Sequence, residues 1–439
     1  MGSINHPAYR RAMATTPTRA RQAPEPPRLA IGAREFVAMM AATMALQALA
    51  VDAMLPALGM IARDLGVSNP NHRQLVVGVF LVAAGVGSLL PGPLSDRYGR
   101  RRVLLVCFAG YVVLSLGCAL APGFNTLIVL RVAVALCSAG LTVLPAAIIR
   151  DRHSGDAMAR MQSTVSMVFM VAPMVAPTAG QAVLLFAGWR MIFAMLAVLA
   201  TAIGTWVALR LPETMAPAHR QAMHAGRIIG NMTLAATHPR TFGYTLGGSL
   251  IFGAMLGYIN SSEQLVAEHF GAGAMFPLLF GATAIVMSFS SFANSRIVTK
   301  FGARRVSHGA LMVFLVFSLV QLFQARSSGE TLWQFMPVIA LNICMLGFIG
   351  ANFNSIAMQP FAGIAGSASS VQAFLRMLIA ASLGIVIGQA YNGTALPLAL
   401  AFLLCGLGAL GLVLVSERGR LFGAKQPEAM HGPGHLDLH

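Results

Sequence analysis

Long apolar runs alternate with short, mostly basic connections along almost the whole chain. Twelve runs cover about 35–61, 72–95, 103–121, 125–149, 161–186, 190–209, 241–262, 274–297, 305–325, 332–356, 367–391 and 395–416. Each is long enough for the roughly 20 residues that a helix needs to cross hydrocarbon. Backbone N–H and C=O groups find no water in lipid, so runs of this length must be helical. The longest internal connection, 210–240, separates six runs from six. The pattern predicts an all-α membrane protein of twelve transmembrane helices in two six-helix bundles, 35–209 and 241–416. It also predicts a cytoplasmic linker at 210–240 and tails at 1–34 and 417–439.

Composition agrees. Of the 439 residues, 56 % are hydrophobic and only 10 % charged, with a mean hydropathy of +0.71. Soluble chains carry about 25 % charged residues. A net charge of +16 would suggest nucleic acid in a soluble protein. Here the cations sit between apolar runs and read as topology and lipid-headgroup contact. With the N-terminus inside, 24 Lys and Arg fall on inner segments, four outside (Arg63, Arg73, Arg190, Arg326) and two within spans (Arg131, Arg376). That bias predicts cytoplasmic termini and a multi-pass protein of a bacterial inner membrane. Residues 1–33 lack a signal-peptide core, and Pro24-Glu25-Pro26-Pro27 spoils a transit helix, so a disordered tail is expected. MGSINH lacks the Ser or Thr of a myristoylation site. The five cysteines fall in apolar runs without metal-ligand spacing and read as packing residues. His431, His435 and His439 recur every four residues, but Gly432-Pro433-Gly434 breaks any helix that would present them to a metal.

One connection carries a dense motif, Gly92-Pro93-Leu94-Ser95-Asp96-Arg97-Tyr98-Gly99-Arg100-Arg101-Arg102. Four arginines in six residues cannot lie in hydrocarbon, so the loop belongs at a membrane surface. Gly92 and Gly99 permit close approach and a tight turn. Asp96 can accept helix N-terminal donors or pair with an arginine. The motif resembles the signature loop between helices 2 and 3 of the major facilitator superfamily. In that family Asp96, Arg97 and Arg100 would form a conformational latch. A worn copy runs from Ser295 to Arg305, with Gly302 matching Gly99, Lys300 matching Arg97 and Thr299 in place of Asp96. Two parallel six-helix repeats place a substrate site between them near the midplane. The missing second aspartate predicts a one-sided charged latch.

Asp52 is the one carboxylate well inside the first six runs. A buried acid is costly to keep charged and is a functional candidate by default. The alternatives are a structural acid or one near the outer interface. Its setting, Asp52-Ala53-Met54-Leu55-Pro56-Ala57, resembles the D-M-Y-L-P-A stretch of the bicyclomycin- and chloramphenicol-resistance (Bcr/CflA) drug:proton antiporters. Met54 stands where that pattern has Tyr. Arg131, early in the fourth run, matches an arginine of the family, while Val134 and Ala135 replace its usual Gln and Gly. It would pair with an acid such as Asp52 or hold anionic groups; snorkelling to an interface is the alternative. Pro173, Pro177 and Gly180 resemble the helix 5 antiporter motif, with alanines before both prolines. Gly188-Trp189-Arg190 and Leu211-Pro212-Glu213-Thr214 also resemble this branch.

The second half is vaguer. Glu263, Asn352, Asn354, Gln372 and Arg376 join Met54 as substrate-binding candidates. Helix–helix hydrogen bonds, or an interface position for Glu263, are the alternatives. No phosphate-binding loop or hydrolytic triad is evident, so neither ATP-driven transport nor an enzyme is expected. The resemblance implies a monomeric, proton-coupled exporter of small amphipathic drugs or toxic metabolites. It would draw on the proton gradient, with no cofactor, no metal and no nucleic-acid partner. A nutrient symporter and a non-transporting sensor or scaffold are the alternatives.

Overall fold

The computed structural model describes residues 31–153, 155–214, 239–327, 329–360 and 365–422. The expectations for the N-terminal tail, most of the 210–240 linker and the three C-terminal histidines lie outside these residues. The described residues form helices and no strand. Eleven helical segments are long and apolar enough to cross a membrane, and a twelfth crossing is the bent pair Pro70–Gly87 and Pro91–Tyr98. These match the twelve apolar runs one for one.

In the first half the helices are α1 (Ala33–Asp52), α2 (Leu58–Asp64), α3 (Leu75–Gly87), α4 (Pro91–Tyr98) and α5 (Arg100–Ala119). They continue as α6 (Phe124–Arg152), α7 (Gly155–Phe169), α8 (Val171–Phe186) and α9 (Arg190–Arg210). The second half has α10 (Pro239–Gln264), α11 (Phe276–Phe301), α12 (Ala303–Ala325), α13 (Leu332–Met358), α14 (Ala365–Gln389) and α15 (Leu396–Ser416).

Three spans of the first half are broken, and the breaks share one cause. A proline inside a helix has no N–H for the carbonyl four residues earlier, and its ring crowds that carbonyl. Helix α1 ends at Asp52, four residues before Pro56. Helix α3 ends at Gly87, four before Pro91, where the chain bends by 45°. Helix α7 ends at Phe169, four before Pro173. Pro145 and Pro177 are carried inside continuous helices.

Within the first half, α5 packs on α6 and α9, and α3 packs on α6. In the second, α10 packs on α14 and α15, and α12 on α13. The halves meet along two seams, α3 against α14 and α8 against α11. Phe80, Trp189 and Phe193 are fully buried in one half, and Phe314, Phe353 and Phe402 in the other. Phe186 and Phe323 are 91 % and 81 % exposed on the outer surface. Large apolar side chains around the whole rim suit lipid as the surrounding medium.

The signature stretch differs from the loop expected. Residues 91–98 are helical and Arg100 already opens α5, so the turn is Gly99 alone. Gly99 has φ of 101°, a conformation that side chains resist. Gly92 is an ordinary helical residue with open space where a Cβ would stand, so no close approach requires it.

Candidate functional site

A cavity of about 380 Å³ lies between the two halves. Gln47, Asp52 and Pro173 come from the first half, and Tyr258, Thr283 and Met287 from the second. Its wall is mainly apolar, and the Tyr258 and Phe280 rings, both from the second half, stack on each other in it with centroids 6.2 Å apart. Asp52 is 6 % exposed. It stands at the last turn of α1, where Pro56 ends the helix, and not near the middle of an unbroken span. No cation lies within ion-pair distance of it among the described residues. An unpaired carboxylate in an apolar wall is an expensive group that binds cations or protons.

Helix α8 reaches the same place. Pro173 lines the cavity, and Pro177 and Gly180 are buried behind it. A Cβ on Gly180 would fall on the Ala53 carbonyl oxygen, in the break next to Asp52. The glycine therefore lets α8 touch the backbone that carries the acid. Met54, in the same break, is fully buried and absent from the cavity wall. This corrects its assignment as a substrate contact: it is packed in the core of the first half instead.

Arg131 is fully buried and does not snorkel. Its Nε donates to the Val76 carbonyl at 2.9 Å, and its guanidinium lies 4.2 Å over the Phe80 ring. Both Nη atoms lack hydrogen-bond partners among the described residues. The structure does not bring it into an ion pair with Asp52. It is held by a carbonyl and an aromatic face instead.

The signature stretch builds a charged cluster within the first half. Arg100, 4 % exposed, reaches Asp96 at 2.6 Å and Asp151 at 3.0 Å. Its backbone N–H donates to Glu213 at 2.9 Å. Arg97 stays outside the cluster, 5.2 Å over the Tyr98 ring. Asp151 and Glu213 were not singled out as partners from sequence. The Arg150-Asp151-Arg152 triplet closing the fourth span was the available signal.

The second half has its own clamp, which corrects the one-sided expectation. Arg304 Nε donates to Glu417 at 2.8 Å, and the Tyr244 hydroxyl joins Glu417 at 2.6 Å and His308 at 2.9 Å. Ala303 occupies the place of Arg100, so the charge has moved one residue along rather than vanished.

Among the described residues, the bonds traced between the halves gather at the opposite end from Gly99. Arg73 forms ion pairs with Glu263, at 3.7 Å, and with Glu268. Asn71 Nδ2 donates to the Gln389 and Tyr391 carbonyls, and Gln389 Nε2 returns a bond to the Asn71 carbonyl. Gln74 bonds to Gln264. Glu263 thus belongs to a seal between the halves and not to the cavity wall.

The remaining candidates divide. Asn352 is buried and bonds Asn294 at 2.7 Å, the helix–helix alternative. Asn354, Gln372 and Arg376 line a second cavity of about 250 Å³ toward the Gly99 end of the second half. The two cavities share Phe252, Met255 and Met287.

Two six-helix halves, sealed at one end and holding an acid-bearing cavity between them, define a membrane carrier of the alternating-access type. The chain belongs to the Major Facilitator Superfamily, whose family model matches residues 40–385. It is 30 % identical to the chloramphenicol resistance protein of Pseudomonas aeruginosa, over 85 % of this chain and 88 % of that one. It is 27 % identical to the bicyclomycin resistance protein homolog of Haemophilus influenzae, over 79 % of this chain and 87 % of that one. These names are those of the branch that residues 52–57 resemble. The fold is similar to the crystal structure of a peptide transporter in complex with alafosfalin, with a TM-score of 0.69, 13 % identity and coverage of 89 % and 99 %.

Proposed function

We propose that this protein is a proton-coupled efflux antiporter for small amphipathic compounds, working in a bacterial inner membrane. The relatives named for chloramphenicol and bicyclomycin resistance support drug export. The observation that carries the coupling is Asp52: a buried carboxylate with no cation partner among the described residues, in the wall of a cavity that both halves share. Such a group takes a proton or a donor-bearing substrate in turn, which is the exchange an antiporter needs. Arg131, buried on α6 with both Nη groups lacking hydrogen-bond partners among the described residues, is the other unpaired charge of the first half's interior.

The 24 to 4 cation bias supports placing the Gly99 end and both termini in the cytoplasm. The seal around Arg73 is then periplasmic and the conformer inward-facing. Opening outward requires that Arg73 leave Glu263 and Glu268. The charged cluster at Arg100 holds α4, α5, α6 and the Glu213 segment as one body, so that the half moves as a unit. A monomer suffices for this cycle, because each half supplies what the other lacks.

The test is expression in a pump-deficient host, scored against a drug panel, with proton flux followed in proteoliposomes. Asp52→Asn keeps size and hydrogen bonding but removes titration. It is expected to fold, and to lose proton-driven export and the pH dependence of substrate binding. An Asp52→Asn variant that still drives substrate uphill with unchanged proton flux would remove Asp52 from the mechanism.

A further inference from the structure

The second cavity contains a cation that the first half's mechanism does not use. Arg376 lies within α14 and lines the cavity beside Gln372, Asn354 and Tyr244. Its one hydrogen bond among the described residues runs from Nη1 to the Asn354 Oδ1 at 3.2 Å. No carboxylate lies within ion-pair distance of it among those residues.

The acids of the second half among the described residues have partners elsewhere. Glu263 and Glu268 face Arg73 at the far end, and Glu330 faces His269. Glu417 is held by Arg304 and Tyr244. The residues of α14 that precede Arg376, Ala365 to Leu375, include no Asp or Glu. An intramembrane arginine must pair or reach water, and its planar fork suits a carboxylate or a similar oxyanion. Among the described residues none supplies that counter-ion, which leaves the guanidinium open to an oxyanion entering the cavity.

Phe252, Met255 and Met287 line both this space and the Asp52 cavity, so the two are neighbours. The combined site has an acid at one pole, a guanidinium at the other, and an apolar, methionine-bearing wall between them. We infer that Arg376 is an oxyanion subsite, and that the preferred substrates are amphiphiles with a carboxylate or comparable oxyanion at one end and an amine or apolar body at the other. Simple lipophilic cations lack the group this pole binds. The inference rests on reading the shared cavity as the substrate site.

The test uses the full chain in lipid nanodiscs and three probes: norfloxacin, a zwitterion; its methyl ester, which lacks the carboxylate; and tetraphenylphosphonium, a plain cation. A charge-assisted bond predicts about tenfold tighter binding of the acid than of the ester. Arg376→Gln should bring the acid down to the ester and leave the ester and tetraphenylphosphonium unchanged. Arg376→Lys, keeping charge but not the fork, should fall between. Equal binding of acid and ester by the unmodified protein, absence of binding included, overturns the subsite. So does an Arg376→Gln variant that weakens all three probes alike. Proton flux driven by tetraphenylphosphonium, and its loss in Asp52→Asn, reports separately on the antiport reading. That reading can fail while the acid-over-ester preference stands, or hold while the preference is absent.

Discussion

Removing Arg73 tests whether the seal between the halves sets the conformational balance. Its side chain is 6 % exposed and that of Glu263 is 10 % exposed. Arg73→Ala leaves Glu263 buried without its cation while the seal is closed. Breaking a buried pair from one side costs about 3–5 kcal/mol. The 3.7 Å pair is ionic and not hydrogen-bonded, since Arg73 Nε and Glu263 Oε2 have no hydrogen-bond partners. The low end, about 3 kcal/mol, is therefore the appropriate figure. The side chain of Glu268 is 46 % exposed, and its share is screened by solvent. In the open conformer Glu263 regains water, so the penalty falls on the sealed state alone. About 3 kcal/mol is a factor of roughly 100 in the equilibrium constant. The assay is double electron–electron resonance between spin labels at Asn69→Cys and Asn392→Cys, exposed positions on opposite halves at the sealed end. The five native cysteines are replaced first. Arg73→Ala should convert a short-distance population into a long-distance one, and Arg73→Lys should do so less. Adding Glu263→Gln to Arg73→Ala should restore part of the short population, because the orphaned charge is gone. An unchanged distance distribution in Arg73→Ala would refute the gate. A double variant that is additive would refute the pairing.

Gly180→Ala presses a methyl group onto the Ala53 carbonyl. It should lower thermal stability in detergent by about 1–3 kcal/mol, as overpacking does, and shift the pH profile of transport by moving Asp52; a variant identical to the parent in both would argue against the contact. Asp151→Asn should impair transport more than Asp96→Asn, because the side chain of Asp151 is 19 % exposed against 45 % for Asp96, and both act on the buried Arg100; initial export rates at matched membrane expression rank them. Glu417, just past the last span, is pushed up by burial, but hydrogen bonds from Tyr244 and Arg304 outweigh this and hold its carboxyl below the ordinary range. A depressed folded value means that its stabilisation is present above the unfolded pKa and is lost as pH falls through the folded one. Glu417→Gln should therefore lower the melting temperature at neutral pH and weaken its fall toward acid pH, measured by thermal unfolding between pH 7 and pH 3.

The spans were legible because hydrocarbon leaves a run of 20 apolar residues one structure. The breaks were not: Pro56 and Pro91 lie inside runs that read as single spans, and since Pro145 and Pro177 are carried within continuous helices, a proline alone does not mark the helix end at which Asp52 stands. The charged motif offered Asp96 either helix N-terminal donors or an arginine, without saying which arginine. Arg100 rather than Arg97 turns inward, since Gly99 resets the helix direction and Asp96 and Arg100 fall one turn apart across it. Asp151 and Glu213 complete the cluster from 51 and 113 residues away. No spacing rule reaches that far.

The seal was illegible for a deeper reason. In a linear count Arg73 is one of four outer cations, an exception to a topological rule and nothing more. Its meaning depends on Glu263 and Glu268, which are 190 and 195 positions on and belong to the other half. Glu263 was read from its own neighbourhood, as an acid near a span end, and that neighbourhood could not separate a cavity ligand from an interface charge. The same limit explains Asn352 and Gln389, polar residues in apolar runs whose partners lie on other helices. A polar residue in a membrane span announces that a partner exists, because leaving it alone in hydrocarbon is too costly. It does not say whether that partner is a neighbouring helix, the opposite half or a substrate. Packing answers the first two cases here. Asp52 and Arg376, facing the shared cavities without a partner of opposite charge among the described residues, are what is left for the third.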